Sequence, residues 1–374
     1  MSNKVSCKLP TLIKINSSIN YAIHDHYRKT GLTYVDVPEI VGITGACENV
    51  DTLFKVGNRL NLPLFFTQTG QLSLEQSLQY FPGVYTIIHS GRDEETEDVR
   101  HLRQFRLVEE EFDCTIAGMS LANYSENKMF TTLLSHVESA VKALVSNVVA
   151  SCSHELETVY NLDTGWLKTV TQKPFYQIPY SEAVILLKWS GFTSLAFGDD
   201  LKAEHEQKVV DILNGNQKES GRQIPVFITH YPKEIKFFNM KVSQDDPKVV
   251  LSADLILPNA GEAVGSAVRE HDGKKLKERL ITSTMFDLHK KRGGTYSDFT
   301  WYLEDIIMAG KTKPHAGYGI GSERVMQFIL NAKDIRECSL FSILSQQSGD
   351  WEEKNGSNGL KHSKRQSIVN TSKA

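Results

Sequence analysis

Three separated segments of the chain combine arginine with acidic, glycine or aromatic residues. In the first, Arg92 and Glu94 precede Arg100, His101 and Phe105. Guanidinium groups bind phosphate or carboxylate through paired hydrogen bonds, and a phenylalanine ring can stack on a purine. Two strands joined by a loop would place these residues around one pocket. A surface hairpin held by salt bridges is the alternative for this segment taken alone.

The second segment, SADLILPNAGEAVGSAVRE, contains Asp254, Glu262 and Arg269. Carboxylates on neighbouring strands could hold Mg²⁺, which prefers oxygen ligands and is often shared between protein and nucleotide phosphates. Gly261 and Gly265 would let a ligand approach the backbone. This segment therefore predicts a cation site beside a ligand.

The third segment, PHAGYGIGSERVMQFIL, predicts a glycine-dense strand that runs into a helix, with Glu323 and Arg324 at the junction. A glycine-rich backbone beside a helix N-terminus is suited to bind an anion. It is not a Walker loop, because no GK[ST] sequence follows the glycines.

The elements that must position these segments alternate between helical and strand patterns. Apolar residues recur at helical spacing over residues 11–30 and 129–149, whereas residues 64–112 and 226–261 contain strand-like runs joined by turns. This order predicts an α+β fold, in which an antiparallel sheet is flanked by helices in one large domain. The expected divisions are an N-terminal extension (1–10), a catalytic domain (11–344) and a polar, disordered tail (345–374).

Composition narrows the function classes. The 374 residues include 42 Lys+Arg and 45 Asp+Glu, so the formal net charge is −3, which argues against a surface built throughout to attract nucleic acid. The five cysteines contain no CxxC pair, which gives no support to a zinc knuckle or a disulfide framework. The sequence shows neither a signal peptide nor an apolar run of about 20 residues, so we expect a cytoplasmic protein without a membrane partner.

Taken together and in this order, the segments resemble the catalytic core of class II aminoacyl-tRNA synthetases, in the asparaginyl branch of the aspartyl/asparaginyl group. SGRDEETEDVRHLRQFRLVEEEF resembles the second motif of that family, PHAGYGIGSERV the third, and TYVDVP, ending at Pro38, the first. ACENVDTLFKV, TGQLSLE, YPKEIKFFNM and GEAVGSAVRE are further asparaginyl-type stretches. The resemblance covers about residues 10 to 341. It implies the class II fold, the use of ATP and Mg²⁺, and a homodimer built through the first motif.

The resemblance also implies roles for residues in the nucleotide site. Arg92 and Arg324 are the expected catalytic residues. Arg92 would bind the α-phosphate and the substrate carboxylate. Phe105 and the aliphatic part of Arg324 would sandwich adenine, while Arg100, His101 and the Arg324 guanidinium would hold the outer phosphates. The expected ATP-binding set is Arg92, Glu94, Arg100, His101, Phe105, Glu262 and Arg324.

For the metal and the amino acid, the resemblance implies a second group of residues. Asp254 and Glu262 would carry Mg²⁺. Glu48 would meet the α-ammonium group of the substrate, Gln71 its carboxyl end, and Arg269 the polar end of its side chain. Without the resemblance, Glu48 would be taken as an ordinary loop acid and Gln71 as a strand amide.

The TGQLSLE stretch bears on the choice of substrate. In the aspartyl branch this position resembles SPQxxKQ, with a lysine that balances the second carboxylate of aspartate, whereas this chain has Leu74 followed by Glu75. Loss of a buried positive partner disfavours a second negative charge in the pocket. The sequence therefore favours asparagine or a relative, and aspartate remains open because Arg269 is retained.

Departures from the family pattern bear on which molecule accepts the activated acyl group. The resemblance starts within about ten residues of Met1, so we expect no N-terminal OB-fold, and the loop of the second motif, residues 93–98, reads DEETED. Acids would repel a tRNA backbone there, so tRNA is possible as a partner but disfavoured. The leading hypothesis is an ATP-dependent ligase that transfers an asparagine- or aspartate-like acyl group to ammonia or another non-tRNA amine. The alternatives are an asparaginyl-tRNA synthetase without the OB-fold and a non-catalytic paralogue that senses an amino acid or nucleotide.

Overall fold

Two sheets organise the computed structural model, which describes residues 8–42, 52–59, 62–94, 99–215 and 222–340. The larger has eight strands in the order β1-β5-β6-β11-β10-β9-β8-β7, and the smaller has the order β2-β4-β3. In the larger sheet the edge pairs β1–β5 and β7–β8 are parallel, and the pairs between them are antiparallel. The strands are β1 (Thr33–Tyr34), β2 (Ile40–Val41), β3 (Lys55–Val56), β4 (Leu64–Phe66), β5 (Gly83–Gly91), β6 (Gln104–Asp113), β7 (Tyr176–Pro179), β8 (Val226–Thr229), β9 (Ser252–Leu257), β10 (Gly261–Val268) and β11 (His315–Gly321).

Helices flank the larger sheet, and the predicted α+β fold is confirmed. The helices are α1 (Lys8–Lys29), α2 (Gln71–Ser77), α3 (Glu126–Thr158), α4 (Gly165–Gln172), α5 (Tyr180–Trp189), α6 (Ala203–Leu213), α7 (Gly273–Ile281), α8 (Thr284–Lys291), α9 (Thr300–Tyr302), continued by a π-helix over Leu303–Met308, and α10 (Ser322–Leu330). Short 3₁₀ turns cover Leu121–Asn123, Tyr296–Phe299 and Ile335–Cys338. Within the described residues, no helix is long and apolar enough to cross a membrane.

The main core lies between the sheet and the pair α1 and α3. Ile15 and Ile19 of α1 and Val141 of α3 are fully buried in one apolar cluster with Ile320 of β11. Helix α3 extends beyond the predicted residues 129–149 because its apolar face continues through Leu156. The spacing of apolar residues thus determines which faces of the two helices turn inward.

Local chemistry corrects two strand predictions. The stretch LFFTQTGQ is extended only over β4, and α2 begins at Gln71, because the Thr69 hydroxyl accepts the Gln71 amide at 3.0 Å while the Glu109 carboxylate accepts the Gly70 amide at 2.7 Å. FFNMKV forms only isolated bridges, Met240 with Arg269 and residue 242 with residue 250.

The acidic run of β6 is buried on both faces of the sheet. On the face toward α3, the Glu110 carboxylate accepts a hydrogen bond from the Tyr318 hydroxyl and lies 2.6 Å from the His136 ring nitrogen. Glu109 and Glu111 point to the opposite face, since successive side chains of a strand alternate. That second face carries the site.

Several predictions concern residues outside those described. These are Glu48, the loop acids Glu95, Glu97 and Asp98, and the tail 345–374. Helix α1 starts at Lys8, three residues before the predicted start of the catalytic domain, and residues through Leu340 group into one unit. The division into extension, catalytic domain and tail stays a prediction.

Candidate active site

A cavity of about 250 Å³ lies where the β5–β6 hairpin meets β10, β11 and α10. Strand register brings its walls together: Gly91 pairs with Gln104 across the hairpin, which places Arg92 near Phe105. The predicted residues among its lining are Arg92, Arg100, His101, Phe105, Glu262 and Arg324. Residues far apart in the chain therefore meet at one cavity, and the surface-hairpin alternative does not describe this segment.

Arg92 and Phe105 form one wall of the cavity. The Arg92 guanidinium carbon lies 5.4 Å from the centre of the Phe105 ring, within the range of a cation–π contact. The Arg92 Nε is buried and has no hydrogen-bond partner among the residues that the structure describes. A buried donor without a partner is unfavourable, so an anionic ligand that accepts from Arg92 would remove that cost.

Arg324, at the start of α10, connects two walls. Its guanidinium donates to the Ala260 carbonyl and to the Arg100 carbonyl, each at 2.5 Å. A Cβ on Gly321 would lie 3.3 Å from the Arg324 Cγ, so the aliphatic stem packs closely on the glycine backbone. The stem is thus fixed at the cavity, while the head joins the Arg100 backbone to the β9–β10 turn.

Glu262 of β10 lines the cavity, and Asp254 lies on the neighbouring strand β9. Asp254 lies opposite Gly265 in the β9–β10 register, and its carboxylate accepts a hydrogen bond from the Lys236 ammonium at 2.5 Å. Repulsion from Asp254 raises the pKa of Glu262 to about 7. Burial by itself would lower the pKa of Lys236, but the charges of Asp254 and Glu262 outweigh it and the pKa is raised.

This arrangement fits a hard divalent cation. Glu262 is exposed at the cavity, and its repulsion from Asp254 is what a bound cation would relieve. Lys236 partly neutralises Asp254, which leaves Glu262 as the more available ligand. The stretch YPKEIKFFNM predicted no role for Lys236, since nothing in the segment itself shows that this lysine faces Asp254.

A second, fully buried polar network lies along β6 and β11. The Glu75 carboxylate accepts hydrogen bonds from Gln71 Nε2 at 2.6 Å and Tyr302 Oη at 2.5 Å, and lies 3.0 Å from His315 Nε2. Arg269 donates through Nη2 and Nε to Glu111 Oε1 at 2.6 and 3.1 Å. One ligand atom each of Glu75, Glu111 and His315 lie within 4.8 Å of one another, which joins the groups around Gln71 and Arg269 into one network.

The protonation of this network follows from its contacts. The His315 Nδ1 lies 2.8 Å from the Lys313 carbonyl and its Nε2 faces Glu75, so both ring nitrogens face acceptors. Burial would lower the pKa of His315, but the hydrogen bond and charge of Glu75 raise it. Burial would likewise raise the pKa of Glu75, but His315 and Arg269 lower it. His315 and Glu75 thus each favour the charged form of the other.

Sequence reasoning missed several members of these two sites. Glu111 and His315 lie inside the second and third motifs but had no assigned role. Tyr302 lies outside every motif, as does Glu206 of α6, which lines the cavity beside Arg92. The signal for Glu111 was the run of three acids in a strand that must be buried. Glu206 is a lone acid on an amphipathic helix, and no feature of the sequence marked it as a site residue.

The loop of the second motif is only partly described. Glu94 is half-buried but is not among the residues that line the cavity. Asp93 forms an ion pair with Arg103, and its backbone N–H donates to the Thr52 carbonyl at 2.7 Å. The charge of Asp93 is therefore balanced within the chain, which weakens the argument that it repels tRNA.

Comparison with known proteins identifies the family. Residues 3–345 match the model of the tRNA synthetases class II (D, K and N). The chain is 30% identical over 352 residues to an asparagine–tRNA ligase of Clostridium botulinum, covering 87% of this chain and 68% of that protein. The chain belongs to the class II tRNA synthetases.

Solved structures of this family agree with the model. Asparaginyl-tRNA synthetase from Pyrococcus horikoshii, complexed with asparaginyl-adenylate, has a TM-score of 0.75 at 29% identity, over 90% of this chain and 68% of that one. The corresponding Entamoeba histolytica enzyme with asparaginyl-adenylate has a TM-score of 0.70 at 24% identity, over 89% and 67%, and shows the shared fold. This class II synthetase-like chain is thus an ATP-dependent ligase that activates an amino acid, and the sensing alternative is wrong.

Proposed function

We propose that the protein activates asparagine with ATP and transfers the asparaginyl group to tRNA. The curated relative is an asparagine–tRNA ligase, and the structural relatives contain asparaginyl-adenylate. These likenesses favour the asparaginyl-tRNA synthetase alternative over the leading hypothesis of a non-tRNA amine acceptor, which nothing in the comparisons supports. The internal ion pair of Asp93 points the same way.

The observation that carries the choice of asparagine is the buried Glu75 carboxylate. Glu75 is 0% exposed and lies in the network that holds Gln71 and Arg269. An anionic acceptor in this place suits the N–H groups of a side-chain amide and opposes a second carboxylate. Glu75 lies against His315, and Glu111 lies against Arg269. Burial raises the pKa of Glu111 to about 7, so a further carboxylate beside these acids would be unfavourable and a neutral side chain would not.

The chemistry proceeds in two steps. A carboxylate oxygen of asparagine attacks the α-phosphorus of ATP, the bond to the β-phosphate oxygen breaks, and pyrophosphate leaves. Arg92 would stabilise the charge that develops on the α-phosphate oxygens, and Phe105 and the Arg324 stem would hold adenine. A terminal ribose hydroxyl of tRNA then attacks the carbonyl carbon, loses its proton and displaces AMP. Mg²⁺, held by Glu262 and Asp254, would neutralise phosphate charge.

An acceptor assay tests this proposal. With ATP, Mg²⁺ and asparagine, we expect AMP release to require tRNA and to yield asparaginyl-tRNA, at a rate on the order of one per second. Chelation of Mg²⁺ should abolish the reaction. Parallel reactions with ammonia in place of tRNA, followed by mass spectrometry, provide the comparison. Release of AMP driven by ammonia and not by tRNA would overturn the proposed acceptor.

A homodimer is also part of the proposal. The element involved is α1 with β1 and the chain to Pro38, which matches the first motif. On α1, Leu9, Ile13 and Tyr21 are exposed apolar residues, as on a face that a second copy would cover through a twofold contact. We expect light scattering at micromolar concentration to give about twice the chain mass of 42.1 kDa, and a mass equal to that of one chain would contradict it.

A further inference from the structure

Helix α6 brings a carboxylate from outside the three motifs into the ATP cavity. Glu206 is 7% exposed and lies among the residues that line the cavity. Its Oε2 accepts a hydrogen bond from Arg100 Nη2 at 3.3 Å, across 106 residues of sequence. Burial raises the pKa of Glu206, Arg100 opposes the rise, and Asp254 adds to it.

The position of α6 is held by the β9–β10 turn. The backbone N–H of Asn259 donates to the Gln207 side-chain oxygen at 2.9 Å, and the Asn259 side chain donates to Asn331 at 2.9 Å. Because Gln207 follows Glu206 directly, this contact fixes the segment of α6 from which Glu206 extends. The helix, the turn and the end of α10 therefore form one connected support.

Arg100 is confined between Glu206 and the same turn. Gly261 has a φ of +76°, and a Cβ there would lie 2.7 Å from Arg100 Nη2 and 3.4 Å from Glu206 Oε2. The guanidinium thus packs directly on the Gly261 backbone. The Arg100 carbonyl is held as well, because it accepts a hydrogen bond from Arg324.

An acid in this place is unfavourable for ATP binding when considered alone. Glu206 adds a buried carboxylate near Asp254 and Glu262, and its negative charge would repel a triphosphate. Any benefit of Glu206 for ATP binding must therefore come through the Arg100 guanidinium that it contacts. A guanidinium already held in one orientation loses less conformational entropy when phosphates bind.

We propose that Glu206 is a positioning residue, which orients Arg100 toward the pyrophosphate end of ATP. The inference rests on the proposed assignment of Arg100 to the outer phosphates. It goes beyond the family motifs, since it gives α6 a part in nucleotide selection. The carboxylate does not touch the substrate; it determines how strongly the chain binds the β- and γ-phosphates.

Nucleotide binding measured by calorimetry on the full chain tests this inference without depending on the amino acid or the acceptor. The variant Glu206→Gln keeps the shape of the side chain and removes its charge. We expect the Kd for Mg²⁺–ATP to rise by about tenfold, the scale of one charged contact, with the Kd for AMP unchanged because AMP lacks the outer phosphates. The matched control is Glu204→Gln, on the same helix with a side chain that is 68% exposed, which should leave both constants unchanged.

A double-mutant cycle separates positioning from a general structural effect. Arg100→Ala should weaken ATP binding, and adding Glu206→Gln to it should weaken binding no further. Additive losses, or an equal loss for AMP, would overturn the positioning role. If Arg100→Ala leaves ATP binding unchanged, the proposed role of Arg100 itself is wrong. If Arg100→Ala weakens ATP binding but Glu206→Gln does not, this inference alone is overturned.

Should Glu206→Gln not melt cooperatively, Glu206→Asp takes its place, because it retains the charge on a shorter side chain. We then expect a smaller rise in the Kd for Mg²⁺–ATP and no change in the Kd for AMP.

Discussion

Replacing Arg92 by alanine should lower the rate of adenylate formation by at least about 100-fold, the usual loss when one preorganised charged donor is removed from a transition state. Within the described part of the chain, the Arg92 Nε is a buried donor without a hydrogen-bond partner, so the substitution removes no hydrogen bond of that atom there. We therefore expect folding to be retained. Pyrophosphate exchange with asparagine, at saturating ATP, measures the effect.

Arg103 offers the matched control for this experiment. It lies on the same hairpin, forms an ion pair with Asp93 and does not line the cavity. Arg103→Ala should change pyrophosphate exchange by less than about threefold, as is usual for a partly exposed ion pair. Near-normal exchange by Arg92→Ala would contradict the role proposed for Arg92.

Glu75→Gln should alter the choice of amino acid. The substitution keeps the shape of the side chain but removes the negative charge that Tyr302, Gln71 and His315 contact. We expect kcat/KM for asparagine to fall by about 100-fold, because a buried charged acceptor is lost and its donors are left poorly matched. The ratio of kcat/KM for asparagine to that for aspartate should also fall, since the pocket becomes more positive.

The control for Glu75→Gln is Gln76→Ala, an exposed position on the same helix, which should leave both amino acids unaffected. The KM for ATP should be unchanged in both variants, because Glu75 lies outside the nucleotide cavity. An unchanged preference for asparagine over aspartate in Glu75→Gln would show that substrate selection resides elsewhere in the chain.

The residues proposed to bind the nucleotide could be predicted from the sequence because they lie on contiguous strands and loops. Arg92 and Phe105 are separated by one hairpin, and strand pairing alone brings them together. The carboxylates Asp254 and Glu262 lie on adjacent strands of one hairpin in the same way. The length of α3 was underestimated, because apolar spacing identifies a buried face more reliably than it identifies the last turn of a helix.

By itself, the sequence determined the family, the α+β fold and the motif residues at the cavity, since each depends on local spacing and order along the chain. Tertiary structure decided which charges face one another. Lys236 against Asp254 could not be inferred locally, and neither could Glu206 against Arg100 nor His315 against Glu75, because each pair joins elements whose packing is set by the whole core. The sign and strength of a buried charge depend on such partners and on exclusion of water, which residue type and spacing do not reveal.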